Sequence, residues 1–484
     1  MKAYLNLREN NKLEAKEAIK GFPKSTWETY SAFANTDGGI ILLGVGEDKN
    51  QDLYVKENVN VKKLEIDLWN VLNDSRKVSK NILRQEDVKK RVHNGLEYLE
   101  IIVPRASSEN RPIYLNNNIF EVYKRNHTGD YKCSKEEIIS MLRDQTKTFD
   151  SEPLLDFSIN DLSNESIRIY RNIYDDFKGN HIWKEKTNVE FLEKIRAIKN
   201  VNGKYHPTRA GLLFFGFDYK ILNVYPNYFL DYREKIGADI RYSDRINSGT
   251  DDWSGNIFDF YNRVVAKLLL DLPVPFMLDK DNIHRKMETD IHVAVREALV
   301  NCLANADYTL PRGLVIIKKI DEITFENPGL LKVGIEQALK GGISDPRNLT
   351  IFHFFNQIGL GERAGSGIPT IVDSFEKAGY TKPELREEFN PDRTFLKLFL
   401  TKKIKYNETV ESDSKVEIDY KELTNQEKII VDYLKENNEI TRIYAEELLG
   451  VKTRRANEIL KELVDKEIII KLGEHKNIRY SLKR

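Results

Sequence analysis

The run STWETYSAFANTDGGIILLGV, residues 25–45, constrains the fold more than any other stretch. An amphipathic segment stops at Asn35-Thr36-Asp37, two glycines follow, and an apolar run begins at once. Gly38 and Gly39 supply the positive-φ freedom that a helix needs to end and turn directly into a buried strand. A short apolar run bounded by glycine reads as a strand, not a second helix. GLEYLEIIVPRA and IFEVYKRNHTGDY read as further strands. KEEIISMLRDQ closes the segment as an amphipathic helix, with Ser134 as N-cap and Glu137 three residues on. Strands interleaved with helices predict an α/β or α+β segment.

At 484 residues the chain has room for about three domains. We expect boundaries at 1–147, 148–402, a polar linker over 403–422, and 423–484. In the second segment SNESIRIYRNIYDDF, NVEFLEKIRAIKNV and TDIHVAVREALVNCLANADY predict helices, and PTRAGLLFFGF a buried helix end or strand. GLVIIKKIDEITFENPG predicts a strand pair turning near Asp321, and RTFLKLFLTKK a closing strand. The last segment predicts three helices and a two-stranded hairpin, the pattern of a winged helix-turn-helix. Its third helix would place Lys452, Arg454, Arg455 and Asn457 in a major groove, with Lys476 in the wing. Protein contact or dimerisation is the other reading of that domain.

Composition excludes several classes. Lys and Arg number 76, Asp and Glu 76, so the net charge is zero. That rules out a globally basic nucleic-acid coat but leaves local patches open. No apolar run approaches the roughly 18 residues of a membrane span. The first residues lack the apolar core of a secretory signal. Two distant cysteines make neither a disulfide scaffold nor a zinc cluster. The expectation is a soluble, cytoplasmic, multidomain protein with no membrane partner.

Two constellations carry chemistry. The first is Glu297-x-x-x-Asn301 on a helix, then Asn327-Pro-Gly329, then the glycine-rich Gly361–Gly367. Residues four apart share a helix face, so Glu297 and Asn301 can hold a water and a Mg²⁺ ion beside a triphosphate. Flexible glycines bring backbone N–H groups against phosphates. The second mixes aromatic and basic residues in Arg111-Pro-Ile-Tyr114 and Tyr123-Lys124-Arg125. These suit base stacking with phosphate contact, or equally a strand with an exposed basic rim.

REALVNCLANADY, ITFENPG, SDPRN and GERAGSGIP together resemble the ATP-binding module of RecG-like bacterial regulators, similar to GHKL (Bergerat) ATPases. The resemblance implies an ATP-binding α/β sandwich. It puts water activation on Glu297, the Mg²⁺ ligand on Asn301, adenine contact on Asn327, and phosphate-side glycines on Gly329, Gly365 and Gly367. This chain has Asn327 where GHKL proteins usually carry Asp, and Asn305-Ala306-Asp307-Tyr308 where relatives read HRDY. AFANTDGGIILLGVGED is similar to the Schlafen AlbA_2 domain, over about residues 1–145. There the resemblance implies a metal-dependent phosphodiesterase site from Glu9, Glu14 and either Asp48 or Glu47, with Lys16 on the scissile phosphate. The two glutamates could meet only if Glu9 precedes the element that Glu14 begins.

The expected fold is therefore a multidomain α/β chain: a Schlafen/AlbA_2-like domain, a GHKL-like ATP-binding domain and a winged helix-turn-helix. The favoured function is an ATP-switched, DNA-binding regulator using ATP and Mg²⁺, with RNA as the other nucleic-acid partner and a homo-oligomer as the expected assembly. The alternatives are an ATP-gated, metal-dependent nuclease acting in defence against foreign nucleic acid, and a scaffold with vestigial sites. Helicase action finds no support, since no G-x-x-x-x-G-K-[ST] loop is present.

Overall fold

Ser134 Oγ accepts a hydrogen bond from the Glu137 amide, and the Glu137 carboxylate accepts one from the Ser134 amide, so the Lys135–Asp144 helix begins on a reciprocal capping box. The same logic starts the helices Asn188–Lys194 at Thr187 and Asp290–Asn305 at Thr289. The computed structural model describes residues 3–146, 148–236, 242–250, 252–270, 272, 289–361, 366–389, 391–402, 423–437, 439–466, 468–472 and 478–483. Described residues up to 402 form one compact unit, and those from 423 form a second.

The helix Ser25–Asn35 ends as the glycine pair requires. Gly38 sits at φ +72°, and a Cβ there would lie 2.7 Å from the Val103 carbonyl oxygen. The strand Gly39–Leu43 follows and pairs with Leu13–Lys16 in parallel and with Leu96–Val103 antiparallel. Val88–His93 completes a four-stranded mixed sheet. The apolar run expected as one strand breaks at Gly44 (φ +90°), and Val45–Glu47 joins a separate three-stranded sheet. IFEVYKRNHTGDY is a hairpin of Asn118–Asn126 and Gly129–Lys132.

In the second segment a six-stranded sheet runs in the order Asp244–Asn247, Leu230–Lys235, Leu314–Lys319, Glu322–Pro328, Arg393–Phe399, Glu384–Glu388. Only Leu230–Lys235 and Leu314–Lys319 are parallel. The expected closing strand is therefore internal, because Glu384–Glu388 takes the edge beyond it. The second half of NVEFLEKIRAIKNV is not helix but the strand Ile198–Val201, paired with Lys204–Pro207. Helices Ile257–Leu269, Asp290–Asn305 and Gly367–Lys377 pack on one another and on the sheet. The core between them is aromatic: Tyr170, Phe214, Phe215, Phe258 and Phe354 are all fully buried. Each contributes roughly 1.5–3 kcal/mol of burial. Tyr170 remains satisfied there because its hydroxyl donates to the Phe354 carbonyl at 2.8 Å.

The second unit has helices Asn425–Asn437, Arg442–Leu449 and Thr453–Asp465, with strands Ile440–Thr441, Arg479–Leu482 and Ile469–Leu472 in that sheet order. The linker expected over 403–422 lies outside the described residues. Among the described residues no helix is long and apolar enough to cross a membrane.

Candidate functional site

The Asp290–Asn305 helix puts Glu297 and Asn301 one turn apart on one face, and Asn301 Nδ2 donates to Glu297 Oε1 at 2.9 Å. The two groups expected to flank a water and a metal are thus bonded directly to each other. Gly367 opens the next helix against them. A Cβ at Gly367 would sit 2.7 Å from both Asn301 Nδ2 and Glu297 Oε1, so a larger residue there would have to push these side-chain ends aside. A helix N-terminus is thereby aimed beside the Glu/Asn pair, and its unsatisfied amides favour an anion there. Gly365 lies outside the described residues.

Asn327, on the strand Glu322–Pro328, is held in both directions by Cys302. The Cys302 thiol donates to Asn327 Oδ1 at 2.7 Å, and Asn327 Nδ2 donates to the Cys302 carbonyl at 2.7 Å. Burial pushes the Cys302 thiol well above its ordinary range, so it stays a neutral donor. Gly329 takes φ +87°, and a Cβ there would meet Arg347 and Asp307 at 3.0 Å. Asn301, Asn327, Gly367, Thr394, Leu331 and Asp345 line a cleft of about 800 Å³, counting space open to solvent.

The wall of that cleft is tied to the first segment. Arg105 Nη2 donates to the Leu331 carbonyl at 2.6 Å, and Nη1 pairs with Glu387 at 3.3 Å and Asp37 at 3.0 Å. Ser108 donates to Asp345 at 2.7 Å, and Asp345 pairs with the buried Lys332 at 2.9 Å. Behind it, Arg347 grips Asp144 through both nitrogens at 2.9 and 3.0 Å, and Arg143 bonds Asp307. Burial alone would raise the Asp144 and Asp307 carboxyls, but Arg347 and Arg143 outweigh it and hold both below the ordinary carboxylate range.

Glu14 lies on the strand Leu13–Lys16 and Glu9 in the loop before it, the break that a meeting of the two demands. Their carboxylates are already engaged. Glu14 takes Arg125 at 2.7 Å and Lys16 at 2.5 Å. Glu9 accepts the Ala15 amide at 2.9 Å. Asp48 is turned into its own loop: it accepts from the Asn50 and Asp52 amides and from the Tyr4 hydroxyl. The expected convergence of Glu9, Glu14 and Asp48 on a metal is therefore not seen, and among the described residues no three His, Cys, Asp or Glu form a metal-holding group. Glu47, and not Asp48, joins Glu14 in acting on Glu9. Burial raises the Glu9 pKa most, with Glu14 and Glu47 adding to it against Lys16.

Arg111, Lys124 and Arg125 correct a second expectation. All three are buried, not a basic rim. Arg125 stacks over Phe33 and pairs with Asp130 as well as Glu14. Sequence reasoning missed this role because Glu14 and Phe33 lie about a hundred residues away. In the second unit Lys452, Arg454, Arg455 and Asn457 are all exposed on or beside the Thr453–Asp465 helix. Arg454 leans on Glu458 at 3.2 Å, and Arg455 on Gln426 and Glu458. Lys476 lies outside the described residues.

Family models match three stretches of the chain. The profile described as "Schlafen, AlbA_2" matches residues 9–134. "Putative ATP-dependent DNA helicase recG C-terminal" matches 316–395, and a domain of unknown function (DUF8451) matches 139–231. A search of curated proteins finds no match. Among solved structures, the DIP2311 protein from Corynebacterium diphtheriae aligns over 97% of this chain and 91% of its own, at 14% identity and a TM-score of 0.41. The N-terminal domain of a "Putative ATP-dependent DNA Helicase RecG-related Protein" from Nitrosomonas europaea aligns over 25% of this chain and 82% of its own, at 24% identity and a TM-score of 0.19. Neither TM-score is high enough to carry a property across.

Proposed function

From a chain that joins a Schlafen AlbA_2 domain to a RecG C-terminal, ATPase-like domain, we propose an ATP-binding, nucleic-acid-binding protein in which nucleotide state governs DNA binding. The cleft beside Asn301 takes the triphosphate and Mg²⁺, with Asn301 as metal ligand, Glu297 orienting water, and Gly367 opening the phosphate-facing helix. Asn327 faces the adenine side, and Gly329 gives the turn behind it room. The Thr453–Asp465 helix, read as the recognition helix of a winged helix-turn-helix, offers Arg454 and Arg455 to duplex DNA.

One observation carries the switch. Leu331 and Asp345 line the nucleotide cleft and are at the same time bonded by Arg105 and Ser108 of the AlbA_2 domain. A ligand that moves this wall must move or strain those bonds, which gives the two occupancy states different energies at the N-terminal domain. The test is titration of a fluorescent ATP analogue, with and without Mg²⁺. Asn301→Ala should abolish Mg²⁺-dependent binding, and Glu297→Ala should keep binding and lose hydrolysis. No saturable binding to the wild type would refute the proposal.

A second reading, a metal-dependent nuclease, draws support from the raised Glu9 carboxyl beside Glu14 and Glu47. A divalent cation would relieve that repulsion, provided Glu14 gives up one of its two cationic partners. Incubation of labelled RNA and DNA with Mn²⁺ or Mg²⁺ distinguishes it. Cleavage lost in Glu9→Ala/Glu14→Ala would favour it over the regulator.

A further inference from the structure

A second cavity, of about 1040 Å³ counting space open to solvent, lies between the AlbA_2 domain and the turns that follow Tyr308 and Pro328. It shares only Leu331 with the nucleotide cleft. Arg111 lines it and is 5% exposed. Arginine is almost never buried so deeply without a carboxylate partner. Here the guanidinium makes one hydrogen bond, from Nη2 to the Lys332 carbonyl at 3.0 Å. Its Nε is buried with no partner at all.

Glu136 and Asp392 also line the cavity, and three further carboxylates near Arg111 are paired with other cations. Asp144 is gripped by Arg347, Glu387 pairs with Arg105, and Glu137 pairs with Lys124. Burial first, and then repulsion from Arg105, pulls the Arg111 pKa down to about 9, which is how a positive charge short of a counter-ion behaves.

We infer that this cavity binds a small phosphate monoester of mononucleotide size, whose oxygens occupy the unpartnered edge of Arg111. A guanidinium presents its N–H groups as a planar fork that fits two oxygens of one phosphate. Arg312 lines the same cavity and adds a second positive charge, and Ser134 adds a hydroxyl. Met141 and Leu310 give an apolar wall suited to the organic body of an ester, and Glu136 an acceptor for its hydroxyl or amino groups. This site does not depend on the nucleotide cleft being functional.

The test is isothermal calorimetry on the full chain without Mg²⁺, using AMP and, separately, inorganic phosphate. AMP should bind the wild type and should bind Asn301→Ala equally well, since that substitution touches only the cleft. Binding should weaken at least about tenfold in Arg111→Met and in Leu310→Trp, which narrows the cavity from a half-buried turn without touching Arg111. Without ligand, Arg111→Met should melt at or above the wild-type temperature, because it removes a buried charge with no counter-ion. Four results would each overturn the inference. They are no AMP binding to the wild type, AMP binding lost in Asn301→Ala, AMP binding retained in Leu310→Trp, or a lowered melting point in Arg111→Met. Phosphate binding as tightly as AMP would overturn the monoester and leave a site for the bare anion.

Discussion

Replacing Arg105 by Met tests the joint between the AlbA_2 domain and the cleft beside Asn301. Arg105 makes three contacts of unequal weight. Its pair with Asp37 involves a side chain 31% exposed and contributes at most about 1 kcal/mol. Its pair with Glu387 is different, since that carboxylate is 1% exposed. Removing one member of a buried pair strands the other, at a cost of about 3–5 kcal/mol. The Leu331 amide, which donates to Glu387 at 2.5 Å, offsets part of this. The loss should depend on pH, with a defined sign. Burial already raises the Glu387 pKa despite Arg105. A carboxyl raised on folding stabilises when protonated and costs stability as pH rises through its folded value. Arg105→Met moves that folded value further up. The deficit relative to wild type should therefore be largest at alkaline pH and shrink as pH falls and Glu387 takes up a proton, leaving about 1–3 kcal/mol once only hydrogen bonds are missing. All four tryptophans, Trp27, Trp69, Trp183 and Trp253, precede residue 402. Urea unfolding followed by tryptophan fluorescence thus reports the first unit alone. Arg105→Met/Glu387→Gln should recover most of the loss at the higher pH. A deficit below about 1 kcal/mol at alkaline and acid pH alike would refute a buried, Arg105-dependent Glu387.

Gly367→Ala should cost about 1–3 kcal/mol, because its Cβ meets Asn301 and Glu297 at 2.7 Å, and should weaken ATP-analogue binding in the same titration. Arg454→Ala/Arg455→Ala should lower the slope of log affinity for duplex DNA against log salt by about 2, one per phosphate contact. An unchanged slope would move that helix to protein contacts. Glu9→Gln keeps an acceptor for the Ala15 amide and removes a charge that burial disfavours. Since the folded Glu9 value lies above the unfolded one, the ionised form costs stability as pH rises through it. The variant's thermal midpoint should therefore rise relative to wild type as pH is raised from about 4, a gain in stability of less than about 1 kcal/mol for a half-exposed group.

Features set by neighbouring residues were legible in the sequence. The capping box at Ser134 and Glu137, the glycine-forced turn at Gly38, and the one-turn spacing of Glu297 and Asn301 depend only on nearby backbone geometry, and each stands where the pattern puts it. So does the break between Glu9 and the strand carrying Glu14. The AlbA_2 and RecG-type segments were legible for the same reason, since their motifs are short and contiguous.

What tertiary structure decided was which polar groups lose water together, because that depends on surfaces brought in from afar. Arg111 and Arg125 read either as phosphate contacts or as a basic rim, yet Arg125 reaches Glu14 across 111 positions and Arg111 reaches the Lys332 carbonyl across 221. Asp48 and Glu47 are adjacent in sequence, but the strand ends at Glu47, so Asp48 closes its own loop while the charge of Glu47 is felt at Glu9. A guanidinium is indifferent to burial as a letter in a sequence. Only the packed chain shows that Arg105 and Arg125 were given carboxylates and that Arg111 was not.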